Sequence, residues 1–167
     1  MIFLIKYNLI YSLMKNILSI YEFIESYSYE LISNEDPIIK YKFSDVDGNE
    51  YLVEIKNLDD PERKRNIVGK RYEIVYFVLN DGDYSVSKIV NVNPYKTIKT
   101  VLGDILSDFL KRRPWVSQIR MTGLSKDIEK EYISQRTKFY LRYLERNPIR
   151  GFRVRSAGNL IILEKYN

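Results

Sequence analysis

The chain has 167 residues, a length that favours one domain, and its 45% hydrophobic and 29% charged residues are an ordinary globular balance. It contains no cysteine and no histidine, which excludes disulfides, thiolate zinc sites, cysteine nucleophiles, His-based metal centres and any Ser–His or Cys–His relay. The net charge of +5 is unevenly placed: residues 1–104 carry 13 basic and 16 acidic groups, residues 105–155 carry 13 and 5, and the remainder cancels. A basic C-terminal half attracts nucleic acid, phosphorylated ligands or acidic protein surfaces, or is simply a solvated face.

Met1 to Leu13 is apolar apart from Lys6 and Asn8, short of the roughly 20 residues that a membrane-spanning helix needs. It lacks the basic flank and small-residue cleavage site of a secretory signal. Met14-Lys15-Asn16 reads as an alternative start, so residues 1–14 read as an extension and 15–167 as a single domain.

Ile17, Ile20, Tyr21, Ile24, Tyr27, Ser28 and Leu31 follow helical spacing and predict a helix over Ile17–Ile32, ended by Asn34-Glu35-Asp36-Pro37. Strands are predicted at Ile38–Phe43 and Tyr51–Ile55 around an Asp47-Gly48-Asn49 turn. A charged loop follows, with Asp59, Asp60 and Pro61 as turn formers. Two more strands, Tyr72–Leu79 and Tyr84–Asn91, flank Asn80-Asp81-Gly82-Asp83. The period then changes to helical. Ile98, Val101, Leu102, Ile105, Leu106, Phe109 and Leu110 form one stripe, with Lys99, Thr100, Asp104 and Lys111 off its centre. A fifth strand is predicted at Trp115–Met121, a helix from Lys126 to Arg146 capped by Ser125 and stopped by Asn147-Pro148, and a hairpin of Phe152–Arg155 with Leu160–Glu164. The order α-β-β-β-β-α-β-α-β-β predicts an α+β domain with a mainly antiparallel sheet and helices on its faces.

Several motifs fail. Asp45-Val46-Asp47-Gly48-Asn49-Glu50 has Glu where a calcium loop needs its sixth-position Gly, so it reads as a hairpin turn. The phosphate loop, the dinucleotide fingerprint and the nucleophile elbow are all absent.

Two constellations carry candidate chemistry. On the Lys126–Arg146 helix, Ile128, Tyr132, Phe139 and Tyr143 share one stripe and Ile133, Tyr140 and Leu144 another; Arg136 and Glu129 fall between them. A guanidinium in an apolar face must pair or snorkel, so Arg136 faces a carboxylate or an anionic ligand. One turn on, the Tyr140 hydroxyl could donate a proton. The second constellation is Asn93-Pro94-Tyr95-Lys96-Thr97-Ile98-Lys99, where a helix start with Lys96, Thr97 and Lys99 could hold phosphate, or could be an ordinary capped terminus.

From Thr97 onward, the element order resembles the C-terminal part of a GNAT-type acyltransferase, and Phe139-Tyr140 followed by Gly151-Phe152 resembles that family's signature. The resemblance implies Tyr140 as general acid toward the thiolate of acetyl-CoA, with a pyrophosphate site near Asn93–Lys99. An acyl-CoA slot would need the strands at Tyr84–Asn91 and Trp115–Met121 to splay apart. The family's Arg/Gln-x-x-Gly-x-Gly/Ala loop is not present at Asn93–Thr100, and Asn147-Pro148-Ile149-Arg150 lengthens the gap after the tyrosine. Arg136, Tyr140 and Arg142 also resemble an R-x-x-x-Y-x-R pattern of small tailed-phage proteins. The expectation is a non-catalytic GNAT-like module without a cofactor or metal. It binds a protein partner or assembles with itself, with Arg120, Arg136 and Arg142 as anion- or partner-binding residues, in a host cytoplasm or a virion. The alternatives are an acetyl-CoA-dependent N-acyltransferase and a nucleic-acid binder using the basic half with exposed Tyr for stacking.

Overall fold

The computed structural model describes residues 25–59, 69–80, 82–85, 93–122 and 133–166. Their strands are β1 (Tyr29–Ser33), β2 (Ile38–Ser44), β3 (Glu50–Asn57), β4 (Lys70–Asn80), β5 (Asp83–Ser85), β6 (Val116–Thr122), β7 (Phe152–Ala157) and β8 (Leu160–Lys165). One long helical connection joins β5 to β6. It consists of α1 (Pro94–Ile98), a π-helical segment (Lys99–Ile105) and α2 (Leu106–Arg112). Helix α3 (Gln135–Arg146) joins β6 to β7.

The strands form one mixed sheet in the order β1-β2-β3-β4-β6-β8-β7, with β5 attached to β4 off that path. Every pairing is antiparallel except β4 with β6. Parallel neighbours need a long crossover, which the Pro94–Arg112 helical stretch supplies. The α+β class is as the sequence predicts. The sheet is mainly antiparallel, as expected, but mixed rather than purely so, because this one parallel pair joins two antiparallel halves.

Three local expectations need correction, and a fourth, the strand at Tyr84–Asn91, falls mostly on residues outside those described. The helix predicted over Ile17–Ile32 is strand at residues 29–32, and its residues 17–24 lie outside those described. Tyr29, Leu31 and Ser33 are half-buried while Glu30 and Ile32 are exposed, a period of two that pairing with β2 enforces over the helical spacing. The strand predicted at Tyr84–Asn91 is described only as Asp83–Ser85. The last helix begins at Gln135 and is capped by Ser134, whose hydroxyl accepts the Thr137 N–H at 3.1 Å. Ser125, Ile128, Glu129 and Tyr132 lie outside the described residues. Both described helical stretches also lie on one face of the sheet. Tyr72 and Tyr76 point the same way from β4, and they meet Phe109 and Tyr140 respectively.

That face is the core. Tyr41, Val53, Ile55, Tyr72, Ile119, Ile161 and Leu163 alternate inward along their strands and meet Ile98, Val101, Leu102, Ile105, Leu106 and Phe109 of the crossover. Thr100, off the predicted stripe, is also fully buried, and its hydroxyl accepts the Tyr27 N–H at 2.9 Å. The π turn widens the buried arc, so the consecutive residues Thr100, Val101 and Leu102 all face inward. The opposite face is laced with ion pairs: Lys40 and Lys56 to Glu54, Lys42 to Glu50, Arg71 to Asp59, and Arg153 and Arg155 to Glu164. Such exposed pairs stabilise by less than about 1 kcal/mol each, so this face sets solubility more than stability.

Two glycines mark close approaches. At Gly69 (φ +92°), a Cβ would stand 2.5 Å from Ser117 Cβ, so the bases of β4 and β6 meet only without a side chain there. At Gly103 in the π turn, a Cβ would stand 2.5 Å from Tyr143 Oη on α3. Gly103→Ala is therefore expected to destabilise by about 1–3 kcal/mol, despite alanine's better helix propensity. Thermal melts check this, and adding Tyr143→Phe should restore most of the loss. A double variant as unstable as Gly103→Ala alone would place the clash elsewhere.

Candidate functional site

The β4–β6 pairing is short. Lys70 pairs with Val116; a bulge follows; Arg71, Tyr72 and Glu73 then pair with Gln118, Ile119 and Arg120. Beyond Glu73 the two strands part. Met121 and Thr122 of β6 pair only with Ile161 and Leu160 of β8. Among the described residues β4, the strand predicted at Tyr72–Leu79, flanks the opening on this side; residues 86–91 of the strand predicted at Tyr84–Asn91 lie outside those described.

The upper part of the same β4 edge is taken. Val78 pairs with Tyr51 of β3 on one side and with Ser85 of β5 on the other, so β5 lies on the edge that faces β6. Ile74, Val75, Tyr76 and Phe77 remain between the two pairings. At a strand rise of about 3.3 Å per residue, they line a window roughly 13 Å long.

A cavity of about 330 Å³ opens at this window. Glu73 to Tyr76 form its β4 wall, Met121 and Thr122 its β6 wall, Val101 and Leu102 of the π turn its floor, and Arg136 and Tyr140 of α3 its far side. The volume falls at the lower end of the usual range for small-ligand sites. The lining is apolar, with a few convergent polar groups.

Helix α3 aims those groups. Thr137, Tyr140, Tyr143 and Leu144 are buried, which sets the inward stripe. Phe139 and Ile133, predicted to face the core, are 39% and 41% exposed. Arg136 is half-buried, with its guanidinium carbon 5.4 Å from the Tyr76 ring centre. The Tyr76 and Tyr140 rings meet edge-on at 6.5 Å. They end an aromatic row that starts at Tyr27 and passes through Phe43 and Tyr51, the latter two stacked at 4.6 Å. Burial pushes the Tyr140 phenol well above the usual tyrosine range, and its proximity to and hydrogen bond with Tyr76 add to the rise; Arg136 opposes it. Burial likewise raises the Tyr143 phenol, to about 12.

Of the residues singled out from the sequence, the structure brings Arg136 and Tyr140 together at the cavity. Arg120 lies beside its base, in register with Glu73, and donates from Nε to Gln118 at 3.0 Å. Arg142 is exposed on α3. Lys96, Thr97 and Lys99 sit at the start of the crossover helix, away from the cavity lining. Asn93 caps this start: its side chain accepts the Lys96 N–H at 3.1 Å and its carbonyl accepts the Thr97 N–H at 3.3 Å. The Lys96 ammonium stands 4.5 Å over the Tyr27 ring, and Thr97 is buried. Asp45 accepts from the backbones of Asp47 and Asn49, the Asn49 side chain and the Tyr51 hydroxyl, as a turn-forming carboxylate does.

Sequence reasoning missed Glu73 and Tyr76. Glu73 is half-buried at the cavity mouth and forms no ion pair among the described residues. Only its place in the alternation of β4 could have drawn attention to it. No group of three or more carboxylates able to hold a metal ion, and no helix long and apolar enough to cross a membrane, occurs among the described residues. No family model, curated protein or solved structure matches the chain.

The phenols have a pH consequence. Tyr27, Tyr29, Tyr41, Tyr51, Tyr72, Tyr140 and Tyr143 all have raised pKa values in the fold, chiefly from burial. A raised folded value means that the stabilisation is complete below about pH 10, where unfolded tyrosine begins to ionise, and declines above it. The melting temperature should fall as pH rises beyond 10, and Tyr140→Phe should make that fall shallower. A slope unchanged by Tyr140→Phe would place the phenol in water.

Proposed function

We propose that this chain is a non-catalytic, GNAT-like binding module that holds a partner in the cleft between β4 and β6. The observation that carries this reading is the position of β5. An acyl-CoA arm bears amides and needs a free strand edge to lie along, and β5 occupies that edge at Val78–Asn80. Three further features support it. Asn93 already satisfies the N–H groups of Lys96 and Thr97 that a pyrophosphate would seek. A phenol whose pKa is pushed far up by burial is a reluctant proton donor near neutral pH. The exposed Lys138, Arg142 and Arg146 on α3 offer a basic flank for an acidic partner.

The element order around the cleft is the basis for the GNAT-like part of the proposal: a parallel pair joined by a helical crossover, then a helix bearing Tyr140, then an antiparallel hairpin. A second reading, an acetyl-CoA-dependent N-acyltransferase, is favoured by the splay itself. It would set Tyr140 as acid on the cavity wall, with a backbone carbonyl or a carboxylate as base. The nucleic-acid reading gains less. Arg112 is engaged by Asp108, Arg113 is buried against Asn34, and Arg153 and Arg155 share Glu164, so the basic residues do not converge on one surface.

Isothermal titration of the full chain with acetyl-CoA separates the first two readings. The expected outcome is no heat of binding up to millimolar ligand. Micromolar binding would overturn the non-catalytic reading. In that case Tyr140→Phe should lower acetyl transfer by about 10²–10⁴-fold.

A further inference from the structure

The sheet ends at β7, which pairs only with β8. Arg153 to Ala157 are exposed on both faces of that strand. Antiparallel pairs alternate between those that exchange main-chain hydrogen bonds and those that do not. The Gly151 carbonyl accepts the Tyr166 N–H at 3.1 Å, and the register carries that exchange on to Arg153 with Glu164 and Arg155 with Ile162. Phe152, Val154 and Ser156 therefore turn their main-chain groups outward. The Phe152 N–H is taken by the Ile149 carbonyl at 3.0 Å. The N–H and C=O groups of Val154 and Ser156, and the Phe152 carbonyl, have no partner among the described residues. An extended chain that adds as a further strand matches such a row. Strands β6 and β8 lie between this edge and β4, so the inference goes beyond the cleft and stands without it.

Side chains decide which chain fits. Arg153 and Arg155 project from one face of β7 and reach the same Glu164 oxygen, at 2.8 and 3.4 Å. One carboxylate thus serves two guanidiniums, and both arginine side chains remain more than half exposed, at 60% and 58%. Arg150, at the entry to the strand, is exposed and forms no ion pair among the described residues. Residues 150–166 carry four basic groups against one acidic group. On the other face, Val154 is 37% exposed, in register with the buried Leu163. A guest strand presents alternate side chains to these two faces: acidic ones meet the arginines and aliphatic ones meet Val154. A second copy of β7 fits poorly, because antiparallel pairing about a two-fold axis brings the arginines of both copies onto one face.

We propose that the outer edge of β7 binds an acidic segment of another protein in extended conformation, added as a further strand of the sheet with its carboxylates beside Arg153 and Arg155.

Fluorescence anisotropy of the full chain with a labelled Glu-Val-Glu-Val-Glu-Val hexapeptide, and with its Lys-Val counterpart, tests this. The acidic peptide should bind at least about tenfold more tightly, and more weakly as salt screens the charges. Amide exchange read residue by residue should slow at Val154 and Ser156, whose N–H groups turn outward, more than at Arg153 and Arg155, which already bond to β8. Replacing both arginines, Arg153→Gln with Arg155→Gln, should weaken binding about tenfold, whereas Glu164→Gln, which releases both guanidiniums, should strengthen it roughly two- to fivefold. Val154→Pro removes an outward N–H while leaving the bonds to β8 in place, and should weaken binding about tenfold. Should that variant not fold, an acidic peptide N-methylated along its backbone should bind the unaltered chain at least about tenfold more weakly. Absence of binding, equal binding of the basic peptide, or binding without slowed exchange at Val154 and Ser156 would each overturn the proposal. So would tighter binding of a single-stranded oligonucleotide, or self-association in light scattering that Val154→Pro abolishes.

Discussion

The structure depends on one hydrogen-bonding constraint: the parallel ladder between β4 and β6 runs only from Lys70 to Glu73. Among the described residues this ladder is the only strand pairing between the antiparallel half built from β1 to β4 and the half built from β6, β8 and β7. Gly69 holds its base tight, since a side chain there would collide with Ser117. Strands joined firmly at one end and twisted as sheets are must diverge at the other unless paired throughout. The cavity and the room for β5 both follow from where the ladder stops.

Aromatic packing then fills what the divergence opens. The row from Tyr27 through Phe43, Tyr51 and Tyr76 to Tyr140 crosses the sheet and ends at the cavity. Tyrosine suits this role because it buries a large ring and still places a hydroxyl where a partner is near. Tyr41 donates to Asp108 at 3.0 Å, Tyr51 to Asp45 at 3.1 Å and Tyr72 to Asp36 at 3.3 Å, each turning a ring in the core into a tether for a loop or helix. The same burial that stabilises these rings holds their protons. Helix α3 is fitted to the crossover by Gly103, so the position of Arg136 and Tyr140 over the cleft is set by the contact at Tyr143, one turn further along the helix.

Legibility in the sequence tracks how local the cause is. The β2–β3 hairpin was readable because Gly48 takes a positive φ in a short turn between alternating strands. The crossover stripe from Ile98 to Phe109 was readable because its residues face one layer. The segment at Tyr29–Ile32 was misread because its apolar residues fit both periods, and only pairing with β2 decides between them. Phe139 was misplaced because the buried arc of α3 runs through Thr137, Tyr140, Tyr143 and Leu144, taking one residue of its stripe and leaving Phe139 at the margin. The cleft was not readable at all. It arises from the end of a ladder between residues more than forty positions apart in sequence, and nothing in the run Glu73–Phe77 marks the point where pairing stops. Arg136 and Tyr140 were found because a cation amid an apolar stripe is anomalous locally, whereas Glu73 is an ordinary residue in an ordinary strand.

The chemistry of the cleft turns on which atoms remain unsatisfied. A group-transfer site needs a proton donor whose pKa lies near that of the leaving group, and the Tyr140 phenol is displaced the other way by burial against Tyr76. A nucleotide site needs free N–H groups at a helix start, and Asn93 has taken those of Lys96 and Thr97. The described lining of the cleft is an aliphatic floor beside a guanidinium stacked on the Tyr76 ring. The physical balance at this site therefore runs against activation of a thioester, since the phenol is displaced from the leaving group's range and the helix start is already capped.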